Sequence, residues 1–124
     1  MENNEACGCH AAPKLIFPCS GAADVGELAD RTGRRLTKSG IGKMFCLAGI
    51  GGKVNNILIQ AQSADKILAI DGCKEDCAKN TLIQGELNSF EHIRLSDLGF
   101  EKGQSPANEK NIGKVMGKAM QILS

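Results

Sequence analysis

The sequence predicts an α/β fold: a single Rossmann-like, three-layer domain with about four mainly parallel strands and helices on both faces. Two observations predict it. Short apolar runs of strand length alternate with stretches whose apolar residues recur at three- and four-residue spacing, which is the order of β-α-β units. The length of 124 residues is that of one ordinary domain. Parallel neighbours need a crossover of a dozen or more residues, usually a helix, and such a stretch separates each pair of strand-like runs.

Taken in order, residues 1–12 are expected to form a flexible N-terminal arm and residues 13–124 the domain. Lys14-Leu-Ile-Phe-Pro18 reads as a short buried strand ended by its proline. Val25, Leu28, Ala29, Thr32 and Leu36 then share one face of a helix. Gly40 and Gly42 punctuate, and Lys43-Met-Phe-Cys-Leu47 reads as the second strand. Gly49, Gly51 and Gly52 are expected to form a loop, followed by a helix with Val54, Ile57, Leu58 and Ala61 as its apolar stripe. Lys66-Ile-Leu-Ala-Ile70 is the third strand, and a helix of about four turns should follow it to near Asn88. Glu91-His-Ile-Arg-Leu95 is a fourth, weaker strand. A loop over Gln104–Asn108 leads to a terminal amphipathic helix carrying Ile112, Val115, Met116 and Ala119.

Composition narrows the partners. A hydrophobic share of 42% and a charged share of 23% are ordinary for a globular chain. Phenylalanine is the only aromatic, which argues against a base-stacking nucleic-acid platform. A net charge of +1 gives no footprint for nucleic acid or an anionic membrane. No segment approaches the roughly 18 apolar residues of a membrane span. The start, MENNEACGCHAAPK, lacks the basic and apolar regions of a signal peptide. The expected compartment is therefore the cytoplasm, where thiols stay reduced, and six cysteines there call for something other than three disulfides.

The cysteines are not scattered. Cys19 follows the first strand, Cys46 ends the second, Cys73 follows the third, and Cys77 is one helical turn beyond Cys73 in the expected helix. Open parallel sheets bind ligands outside the carboxyl ends of their strands, where chain order reverses. Each of these thiols alone reads as a small buried hydrophobe; together they favour a metal over a redox pair. Tetrahedral zinc sets thiolate sulfurs about 3.8 Å apart, and neighbouring strands lie about 4.8 Å apart. Convergence of these side chains favours the strand order 2-1-3-4, with Cys77 closing the fourth position. Helix N-termini after Cys19 and Cys73 would lower the thiol pKa values.

Pro18-Cys19-Ser20-Gly21, Cys46, Asp71-Gly72-Cys73 and Cys77 together resemble the DGC-domain family, named for its central Asp-Gly-Cys. The resemblance runs from about Lys14 to the C-terminus. It implies zinc held by Cys19, Cys46, Cys73 and Cys77, the family's four proposed chelators, and it implies no established reaction.

Other motifs fail residue by residue. A Cys-x5-Arg oxyanion loop starting at Cys19 would need arginine where Val25 stands. A P-loop ending at Gly52-Lys53 would need glycine at Leu47 and Ser or Thr at Val54, and Val54 also spoils a Gly-x-Gly-x-x-Gly fingerprint starting at Gly49. Ser20 has no evident His and Asp partners for a nucleophilic triad. Cys73 and Cys77 are one residue too far apart for Cys-x-x-Cys. Asp71 is expected to cap the following helix. Cys7, Cys9 and His10 offer three further soft ligands or incidental thiols on the arm. His92 is expected on the surface or against a helix.

The expectation is a small zinc-binding protein whose partner is a metal ion. A closed four-thiolate shell leaves no open position for water and points to a structural, sensing or metal-handling role rather than an enzyme. The alternatives are a thiol-based redox or sulfur-transfer enzyme using Cys19 or the Cys73/Cys77 pair, and an iron–sulfur cluster in place of zinc.

Overall fold

A computed structural model describes residues 12–124, so Cys7, Cys9, His10 and all but the last residue of the expected arm lie outside the described residues. Alternation along two buried strands organises what it shows. In β1 (Lys14–Pro18) and β3 (Lys66–Asp71), Ile16, Leu68 and Ile70 face one way and Leu15, Phe17, Ile67 and Ala69 the other. Each set seeds its own apolar core. The first is covered by α1 (Asp24–Lys38) and α5 (Glu109–Leu123), and the second by α2 (Leu47–Gly51), α3 (Asn55–Gln62) and α4 (Cys77–Gln84). With β2 (Lys43–Met44) and β4 (Glu91–Arg94) the sheet has four parallel strands in the order β2-β1-β3-β4. The α/β class and the strand order 2-1-3-4 are as expected.

The helical stripes hold where they are long. Val25, Leu28, Ala29, Thr32 and Leu36 are all buried along α1, and Ile112, Val115 and Ala119 along α5. At the amino end of the sheet, the Lys14 ammonium donates to the Leu123 carbonyl at 2.6 Å and Lys66 to Ile122 at 2.9 Å. These cations satisfy carbonyls that the last turn of α5 leaves free.

Four local expectations are corrected. The second strand stops at Met44, and Cys46 is the N-cap of α2 rather than a strand residue. The expected glycine loop is partly this helix, because Gly49 lets it lie against Ile57, whose side-chain carbons a Cβ would meet at 2.8 Å. Val54 is not part of a buried stripe but the half-exposed N-cap of α3. The helix after the third strand is two turns long, not four, and begins at Cys77, so Cys73 lies in the preceding loop and shares no helical face with it. Gly85 ends that helix, and the next two amides turn back onto the Ile83 and Leu82 carbonyls as Leu87 enters the core. A 3₁₀ turn at Leu95–Leu98 follows β4.

Candidate metal centre

The chain leaves β1 toward β2 on one side and β3 toward β4 on the other, so order reverses between β1 and β3. The next helices pack on opposite faces, and a crevice opens at their starts. The two loops meet there: the Cys19 amide donates to the Ile70 carbonyl at 2.9 Å, continuing the pairing of β1 with β3. Gly72 lies against α1 so closely that a Cβ would meet Val25 Cγ2 at 2.8 Å and its backbone carbon at 2.9 Å.

The crevice is a cavity of about 330 Å³, and Cys19, Cys73 and Cys77 border it together with Gly21–Ala23, Asp71, Asp76 and Lys102. Cys46 borders a neighbouring cavity of about 520 Å³, whose wall it shares with Cys19. Cys19 therefore stands between the other thiols. Cys19 and Cys73 are partly buried, and Cys46 and Cys77 are exposed. The structure thus gathers three of the four expected ligands around one space and places the fourth across Cys19.

A polar network fixes the start of α4. Asp71, buried at the end of β3, accepts from the Ala78 amide at 2.7 Å and the Lys79 amide at 3.0 Å, the cap expected of it. His92 Nε2 lies 2.9 Å from the same carboxylate and 3.8 Å from Asp76. Arg94, two residues on and on the same strand face, grips Asp76 with Nε and Nη2 at 2.8 and 2.5 Å. That bidentate contact holds the Asp76 carboxyl below the usual carboxylate range and raises Arg94 in turn.

Among the described residues, the set of potential ligands whose donor atoms already lie within 4.8 Å of one another is Asp71, Asp76 and His92. Both Asp71 oxygens cap α4 and both Asp76 oxygens meet Arg94, so a cation there would compete with the contacts that start the helix. The trio is better read as that helix's support. Sequence reasoning left out Asp76 and Arg94 and gave His92 no such role. The i, i+2 spacing of His92 and Arg94 was the available signal, since it puts both on the strand face opposite the buried Ile93.

Cys77 also departs from expectation. Loss of water at the cavity wall pushes its pKa up, and the charges of Asp71, Cys19, Cys73 and Glu75 add to this, the opposite direction to the lowering expected of a helix N-terminus.

The family model for the DGC domain matches residues 15–119. This chain belongs to the DGC-domain family. A relative from Pseudomonas aeruginosa PAO1, the "Anaerobic and virulence modulator AnvM", is 38% identical over 88 residues, which span 71% of this chain and 67% of that protein. No solved structure matches the chain. The matched stretch contains the four thiols, Asp71, Asp76, His92 and Arg94, so the whole candidate centre of this DGC domain lies inside the family region.

Proposed function

We propose that this DGC domain binds one zinc ion through Cys19, Cys46, Cys73 and Cys77 and serves as a metal-dependent regulatory module. One observation carries the reading: three of these thiols border one cavity at the sheet's ligand-binding edge, and the fourth is a neighbour of the first. The donor set fits, because sulfur is the soft ligand that zinc takes in closed four-coordinate sites. Closing the shell needs the thiols to draw together, since no three of them lie within 4.8 Å of one another. A four-thiolate zinc would supply a cross-link between the loop after β1, the start of α2 and the start of α4, not an acid for catalysis. The name of the Pseudomonas relative describes a modulator, which agrees with a regulatory role.

Elemental analysis of purified protein, beside a thiol count with and without chelator, tests this. About one zinc per chain is expected, with loss in each of the Cys19→Ser, Cys46→Ser, Cys73→Ser and Cys77→Ser variants. A brown visible band with iron would replace zinc by an iron–sulfur cluster. Metal-free protein whose thiols cycle rapidly between oxidation states would transfer the site to thiol chemistry. The upward push on the Cys77 pKa speaks against Cys77 as the attacking thiol in that second reading, since the thiolate is the nucleophile.

A further inference from the structure

Among the described residues, four non-glycine positions have left-handed backbone: Ser20 (φ 52°), Lys53 (φ 58°), Asp76 (φ 54°) and Glu86 (φ 64°). Two of them end helices. Lys53 and Glu86 follow the last residues of α2 and α4, and each lies in a turn whose amides close back on the helix: Lys53 to Ile50 and Val54 to Gly49, Glu86 to Ile83 and Leu87 to Leu82. Left-handed backbone is the ordinary way to close such an end.

Ser20 and Asp76 end no helix. Ser20 directly follows Cys19, and Asp76 directly precedes Cys77. Asp76 is the N-cap of α4, a position that ordinarily has extended backbone. The N-caps of α1, α2, α3 and α5 are all extended, and Asp76 is the exception. Nor does its side chain cap its own helix, a task that falls to Asp71 seven residues before Ala78. A separate clamp holds each of the two residues. Ser20 Oγ donates to Asp30 Oδ1 at 2.7 Å, and Arg34 grips the other oxygen of that carboxylate at 2.7 Å. Asp76 is held by Arg94 from β4. Serine pays a steric penalty in this region, and such strain persists only where the surroundings enforce it.

We propose that Ser20 and Asp76 are positioning residues, whose left-handed backbone, clamped by Asp30 and Arg94, presents Cys19 from the loop after β1 and Cys77 from the start of α4 to one cavity. The proposal rests on the reading that these thiols act together on a metal, but the backbone claim can be measured without one.

Alanine and glycine substitutions separate backbone from side chain, because glycine reaches positive φ freely and alanine does not. In metal-free protein, iodoacetamide labelling mapped by mass spectrometry reads each thiol. Ser20→Ala should change the rate at Cys19, and Asp76→Ala the rate at Cys77, by about fivefold or more, while Ser20→Gly and Asp76→Gly stay within about twofold of wild type. Zinc affinity by chelator competition should fall about tenfold in the alanine variants and be largely restored in the glycine ones. Asp30→Ala and Arg94→Ala, which remove the clamps from outside, should move the same thiols in the same direction and cover an alanine variant that does not fold. Equal losses for alanine and glycine, or unchanged labelling in every variant, would overturn the proposal. Wild-type protein that takes up no zinc would overturn the metal reading alone, and the labelling pattern would still decide this one.

Discussion

Asp71 carries more of the site's order than any cysteine does. Its carboxylate is 1% exposed and meets two backbone amides of α4 and the His92 ring. Removing it strands those amides at a helix start, so Asp71→Ala should destabilise the fold by about 3 kcal/mol, with Asp71→Asn, which keeps one acceptor, losing about half as much. Urea denaturation checks both. Gly72 beside it has a different sensitivity: Gly72→Ala drives a methyl into the Val25 backbone and should cost about 2 kcal/mol by the same measurement. The capping role of Asp71 was legible, since an acidic residue between an apolar strand and a helix has few other local uses. The Asp76–Arg94 pair was not, because its partners are 18 residues apart and meet only once β4 lies beside β3.

At the scale of elements, strands and long helices were readable where periodicity was long enough to repeat. β1, β3, α1 and α5 follow the pattern almost to the residue, whereas α2, α3 and α4 are only 5, 8 and 8 residues long. In such short pieces the closing turn competes with the stripe. Gly85 is the stop that the four-turn expectation passed over, and Leu87 packs after the turn rather than in the helix. Asp24 shows a different link between elements. From the first turn of α1 its carboxylate accepts from the Gly103 and Ser105 amides at 2.8 and 2.9 Å, and these bonds lower its pKa. A carboxyl lowered by folding contributes stability that is complete above its unfolded pKa of about 4 and lost as pH falls through the lower folded value. Exchange of the Gly103 and Ser105 amides should therefore show greater opening relative to neighbouring amides below about pH 4. Asp24→Asn should remove that pH dependence.

In the whole molecule, the two helical layers are held apart by the sheet and border one crevice at its carboxyl edge. A metal there would join them, and its binding would add to stability as RT ln(1 + [L]/Kd), about 4 kcal/mol at a thousandfold excess over Kd. Stripping the proposed zinc should then lower the wild-type melting temperature by about 15 °C and leave the Cys73→Ser variant nearly unmoved, as differential scanning fluorimetry would show. Convergence of Cys19, Cys73 and Cys77 was legible because topology alone delivers residues after β1 and β3 to one crevice. The offset of Cys46 was not, because it depends on where β2 stops.

The lysine anchors at the far end of the sheet have a practical use. Lys14 and Lys66 hold the end of α5 against the amino ends of β1 and β3, a full strand length from the thiols. A fluorophore or surface tether attached at Ser124 would stand off from the crevice by roughly 17 Å. Uptake of the proposed zinc would then be followed on an immobilised protein with the thiol face turned to solution.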